Sequence, residues 1–229
     1  MPAPLYSRPI EKKLFAKTIE PYANKPTQFS ESARPSPITV PSIRHFSWSP
    51  TGAAIAQTSG AHIRVWNPEK PNVKLSQELR GHSGYVEKVE WNPVKEAELA
   101  STGTDGTVKL WDVRVGGGAA TTAASSGKSS VVMDVKIGDY GLFMTWKPDG
   151  NEIVVVRRDD IIVPIDVRMG VMGNVEAMET REGKRLQASH SNQICFSNSG
   201  RELFVTTSEG TVQVLDWPSM VSQKRWTLD

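Results

Sequence analysis

The residues best suited to chemistry fall in one stretch, GHSGYVEKVEWNPVKEAELASTGTDGTVKLWDVR, from Gly81 to Arg114. It holds His82, Ser101 and Asp105, the types that serve as base, nucleophile and orienting acid in a hydrolase triad. A serine nucleophile needs more than partners. It sits exposed on a strained elbow, in a Gly-x-Ser-x-Gly context, beside donors for an oxyanion. Ser101 falls instead inside the regular strand pattern LAST (Leu99–Thr102), and the chain has no Gly-x-Ser-x-Gly. A second apparent motif, SGKSS (Ser126–Ser130), resembles the end of a phosphate-binding loop. That loop needs a glycine five residues before Gly127, where this chain has Thr122. No catalytic residue, metal, cofactor or small-molecule substrate is expected.

What must position these residues is a repeat. Trp91 in VEWNP and Trp111 in VKLWDVR are the clearest pair of anchors. Earlier come FSWSPTG and IRVWNP, with Trp48 and Trp66; later come MTWKPDG with IIVPIDVR, and ICFSNSG with VQVLDW. The first anchors stand at 48, 91, 146 and 196, steps of 43, 55 and 50. Each unit reads as a strand ending in a large aromatic, a turn of Pro, Asp, Asn, Ser or Gly, a second apolar strand, a tight turn and a third strand. Alternation with turns every 8–12 residues is antiparallel β. Units of about 40–45 residues with this rhythm predict four-stranded propeller blades. The fold expected is all-β, with blades near 38–80, 81–130, 131–183 and 184–229. The widest step holds VGGGAATTAASSGKSS (Val115–Ser130), whose composition predicts a flexible insertion.

Composition sets the outer limits. The 229 residues carry a net charge of +2, a single cysteine and 38% hydrophobic residues. No apolar run approaches the roughly 20 residues that span a bilayer, so no membrane contact is expected. The lone Cys195 allows no intrachain disulfide, which suits a reducing compartment; by residue type it is expected to be a small buried hydrophobe. Residues 1–44 hold seven Lys/Arg and three Asp/Glu, against 20 and 22 in the remainder. A basic, Pro-rich arm, 1–37, thus precedes a nearly neutral body. No Lys/Arg cluster marks a strong phosphate-binding patch.

Gly81-His82, VEKVEWNP (Val86–Pro93) and LASTGTDGTVKLWD (Leu99–Asp112) together resemble the WD40 repeat family. The resemblance implies a role for the opening trio. In such blades a loop His, a strand Ser or Thr, a turn Asp and a strand Trp form a buried hydrogen-bonded relay. Those positions are His82, Ser101, Asp105 and Trp111. The position of Asp105 is Gly60, Asp159 and Glu209 in the other units, and that of His82 is Thr39, Ile137 and Gln187. Only one blade can therefore hold the full set. The resemblance also implies a ring of about seven blades, so these four are expected to be the N-terminal part of a longer propeller.

The stretches LFMTWKPDGNEIVVVRRDDIIVPIDVR and NQICFSNSGRELFVTTSEGTVQVLDWPSM are further similar to the THO family of WD40 subunits, over about residues 38–229. That likeness implies a nuclear, non-catalytic scaffold linking transcription to messenger RNA packaging and export, docked on other protein subunits, the large THO subunits. RNA association is then expected to be indirect. Propellers bind through loops on one face, and Tyr85, Thr104 and Arg158 are the candidates for partner contact. Two alternatives stay open. One is direct RNA binding, for which the arm argues and the lack of aromatics interleaved with a basic stripe argues against. The other is an adaptor or substrate receptor of another assembly, such as a ubiquitin ligase, which the Trp-Asp-x-Arg ending at Trp111–Arg114 keeps in play.

Overall fold

The structure is a computed structural model that describes residues 43–68, 77–115, 130–168, 184–185 and 191–227. The basic arm 1–37 and nearly all of the 115–130 insertion lie outside the described residues. Among those described, every regular element is a strand. Four four-stranded antiparallel sheets form in chain order. The first contains β1 (Phe46–Trp48), β2 (Ile55–Ser59), β3 (His62–Trp66) and β4 (Gln77–Arg80). The second contains β5 (Val86–Trp91), β6 (Glu98–Gly103), β7 (Thr107–Asp112) and β8 (Val131–Lys136). The third contains β9 (Gly141–Trp146), β10 (Glu152–Arg157), β11 (Ile161–Asp166) and β12 (Lys184–Arg185). The fourth contains β13 (Ser191–Phe196), β14 (Glu202–Thr207), β15 (Thr211–Asp216) and β16 (Ser222–Thr227). These are β-propeller blades. The expected boundary at residue 130 falls between β7 and β8, which pair in one ladder. The Gly/Ala/Ser-rich stretch is thus a connection inside the second blade.

The second and third blades each lie between two others, so their central strands are buried on both faces. Along β10, Ile153 and Val155 pack into a cluster with Leu110, Met133 and Val135 of the second blade. Val154 and Val156 point the other way, into Ile194, Leu203 and Leu215 of the fourth. A strand buried twice reads as a continuous apolar run instead of an alternating one. Each such side chain contributes roughly 1.5–3 kcal/mol of burial. A third cluster joins Ile63, Val65 and Leu79 of the first blade to Val89, Leu99 and Trp111 of the second.

The strand-one tryptophans tie the blades together. Trp91 Nε1 donates to the Ser47 carbonyl of the first blade (3.1 Å), and Trp146 Nε1 donates to the Glu90 carbonyl of the second (3.2 Å). The fourth blade has Phe196 at that position. Trp217 serves there instead. It is buried, meets Phe196 edge-on and donates its indole N–H to the Glu152 carboxylate at 2.9 Å.

Two expectations from residue type fail at the outer blades. Trp48, an anchor by spacing, is 51% exposed, because no sheet among the described residues covers that face of β1. Cys195 is exposed instead of buried. It occupies the last of the four sheets, on the side of β13 opposite the inward-facing Ile194. What burial it has pushes its thiol pKa up, and the Glu90 carboxylate adds to this.

Candidate functional site

The second blade brings His82, Ser101, Asp105 and Trp111 together. His82 lies in the loop after β4, Ser101 in mid-β6, Asp105 in the turn between β6 and β7, and Trp111 near the end of β7. His82 Nδ1 is 2.8 Å from Asp105 Oδ2, and Nε2 is 2.7 Å from Ser101 Oγ. Trp111 Nε1 donates to Ser101 Oγ at 2.8 Å. Asp105 also accepts from the backbone N–H of Ser83 (3.0 Å) and from the hydroxyl and N–H of Thr107 (2.9 and 3.2 Å). The directions chain without conflict: indole to serine, serine to Nε2, Nδ1–H to carboxylate.

Electrostatics fits that direction. Burial pushes the His82 ring below its ordinary pKa, against the pull of Asp105, so the imidazole is neutral near pH 7. Burial by itself raises the Asp105 carboxyl. The His82 ring and the Thr107 and Ser83 donors outweigh it and hold the group below the usual carboxylate range. The connectivity is that of a hydrolase triad, Asp to Nδ1 and Nε2 to Ser. The access is not: Ser101 is 0% exposed and its oxygen is already engaged by the indole. A substrate carbonyl has no path to Oγ. What the four residues do is satisfy one another's buried polar atoms and fasten the loop to the sheet.

The other blades hold different substitutes that residue type did not reveal. In the first, Trp66 Nε1 donates to Gln57 Oε1 at 3.0 Å, so an amide stands in for the serine. In the third, Arg157 forks onto Asp159 (2.6 and 3.1 Å) and reaches the Ile137 carbonyl (2.9 Å). Asp160 follows in the left-handed region, φ 61°, where the second blade has Gly106. Its carboxylate accepts from the N–H and hydroxyl of Ser191. In the fourth, Thr207 and Thr211 pair their hydroxyls at 2.7 Å.

The three candidates for partner contact fall on two equivalent rungs. Tyr85 precedes β5, is 58% exposed, and accepts the Thr104 N–H at 2.9 Å through its carbonyl. Arg158 belongs to the next rung, where its N–H reaches the Tyr140 carbonyl at 2.8 Å. Tyr140 was missed by sequence reasoning, although it stands six residues before Trp146, as Tyr85 stands six before Trp91. Each ring carries a guanidinium: Arg44 lies 5.2 Å from the Tyr85 centroid and Arg158 5.7 Å from that of Tyr140. Nearby, between the first two blades, His45 donates to the Val89 carbonyl (2.9 Å). Burial and the adjacent Lys88 bring its pKa down to about 4. Lys88 pairs with Glu90 at 3.2 Å. At the opposite end of the sheets Arg114 grips Asp112 and Arg168 grips Asp166, both arginines exposed.

Residues 73–112 match the family described as WD domain, G-beta repeat; they span β4 to β7 and contain all four relay residues. This segment is a WD40 repeat. Beyond it, the chain is 29% identical over 181 residues to THO complex subunit 3 of Arabidopsis thaliana, covering 78% of this chain and 50% of that protein. It is 28% identical over 186 residues to the WD repeat-containing protein AAC3 of Dictyostelium discoideum, 72% of this chain and 34% of that one. A shorter stretch of 62 residues is 40% identical to a ribosome biogenesis protein WDR12 homolog of Caenorhabditis briggsae. The chain spans half or less of the length of these curated relatives. The WD40 blade with its complete relay is thus the best-defined unit of a chain similar both to a WD repeat-containing protein and to a protein named as a subunit of a complex.

Proposed function

We propose that the chain is a non-catalytic protein-interaction scaffold, a WD40 subunit of a THO-type nuclear assembly that couples transcription to messenger RNA packaging and export. The observation that carries this reading is a set of blades whose triad-like constellation is sealed, while aromatic and cationic side chains stand exposed on the turns. Likeness to THO complex subunit 3 over most of the chain supports the THO assignment. On this reading the partners are the large THO subunits, bound through the end that presents Tyr85, Thr104 and Arg158, and RNA is reached through them. A second reading, an adaptor or receptor of another complex, is favoured by the exposed Asp112–Arg114 and Asp166–Arg168 forks on the opposite end. Affinity purification from nuclease-treated nuclear extract tests both. Recovery of large THO subunits in near-equal amounts is the expected result. Recovery of ligase subunits, or only of nuclease-sensitive partners, overturns it.

A further inference from the structure

The turn end of the second and third blades carries more order than a solvated surface requires. Tyr85 and Tyr140 stand at the same register in adjacent blades, 58% and 41% exposed, with their carbonyls locked by the N–H groups of Thr104 and Arg158. A guanidinium over each ring restricts it further. Two fixed, exposed tyrosines beside arginine are what protein interfaces use as anchors, since little side-chain entropy is lost on binding.

The charges around them point to the kind of partner. Most cations at this end are already matched: Arg44 pairs with Glu87, Arg157 with Asp159 and Arg225 with Glu209. Among the described residues, Arg158 and Lys136 have no carboxylate partner, and both are exposed. They flank Tyr140, the first beside it across the open end of the β9–β10 ladder and the second four residues upstream. Asp139, which lies between Lys136 and Tyr140 in the chain, accepts the Tyr140 N–H. Resting on the scaffold reading above, we propose that this face binds an acidic segment of a partner protein. Its carboxylates meet Arg158 and Lys136, and its chain crosses the rings of Tyr140 and Tyr85. A nucleic-acid strand suits the face less well. It brings a negative charge at every nucleotide, and Glu87, Asp139 and Asp159 lie along the same end.

The test uses the full chain with a photo-crosslinking benzoylphenylalanine at position 85 or 140, in nuclear extract with and without nuclease. Alongside it, Arg158→Glu/Lys136→Glu is compared with wild type and with Arg201→Glu at the opposite end. All the replaced side chains are exposed, so thermal melts are expected to coincide. The expected result is crosslinked peptides of net negative charge, and a loss of partner recovery of roughly tenfold or more for the double reversal alone. Neutral or basic crosslinked peptides, or undiminished recovery by the double reversal, overturn the proposal while the scaffold reading stands. Crosslinks to RNA overturn it in favour of nucleic acid. Absence of any stoichiometric partner of the wild-type chain removes the scaffold reading and this proposal with it.

Discussion

Removing a single oxygen atom should reveal what the His82–Ser101–Asp105–Trp111 cluster is for. Ser101→Ala deletes the hydroxyl that accepts from Trp111 Nε1 and donates to His82 Nε2. Both orphaned groups are sealed from water, with Trp111 0% exposed and the His82 side chain likewise. Each unsatisfied buried polar group costs about 1–3 kcal/mol, so the substitution should destabilise the chain by roughly 2–5 kcal/mol with almost no change in volume. Trp111→Phe removes one of the two orphans in advance. In that background Ser101→Ala should cost about 1–3 kcal/mol less than it does alone. Equilibrium urea unfolding of the four members of the cycle, at one pH near 7.5, measures both numbers. A cost for Ser101→Ala below about 0.5 kcal/mol, or additivity within that margin, would refute the view that the relay is held together by mutual satisfaction.

Three further outcomes are expected. Stability should be level above the ordinary histidine pKa near 6.5 and fall as pH drops from there toward about 4, because His45 and His82 both have lowered folded values and the unfolded chain takes up their protons first. His45→Gln should make that fall shallower in pH-dependent melts, and an unchanged slope would count against it. Gly150→Ala should destabilise by about 2 kcal/mol or more. Gly150 has φ +69°, and an added Cβ would stand 2.4 Å from Asn92 Oδ1, which already caps the N–H groups of Val94 and Lys95. Asp160→Gly should be milder than Asp160→Ala by about 1 kcal/mol. Both lose the bonds to Ser191, but only alanine keeps a side chain in the left-handed region. Equal melting temperatures for the two would argue that strain at this turn is negligible.

The blade rhythm was legible because it is written in large residues and turn formers. Trp91 and Trp146 recur at fixed distances from Asp-Gly or Asn-Pro turns, and the apolar run Ile153–Val156 needs burial on both faces. The complete relay of the second blade was legible because all four residue types are present at their spacings. Its relatives were not. Gln57 replaces the serine with a longer amide that reaches the Trp66 indole, a geometric equivalence that residue type conceals. The Arg157–Asp159 fork depends on a side chain folding back across a turn. Tyr140 could have been found from its offset to Trp146, but its partner Arg158 was read in isolation. Trp48 and Cys195 were misjudged for one reason: hydrophobic type predicts burial only where a neighbouring sheet exists to provide it.

The indole bonds between blades differ in what they demand of the accepting strand. At the first two junctions the acceptor is a main-chain carbonyl, at Ser47 and at Glu90, which every amino acid possesses. Substitution of the accepting residue's side chain leaves that acceptor in place. Between the third and fourth blades the indole acceptor is a side chain, the Glu152 carboxylate, which takes the Trp217 N–H. One point mutation there, Glu152→Ala, can cut the bond. Two of the three indole bonds between blades therefore survive any side-chain change at the accepting residue, and the third, at Glu152, can be erased by a single substitution.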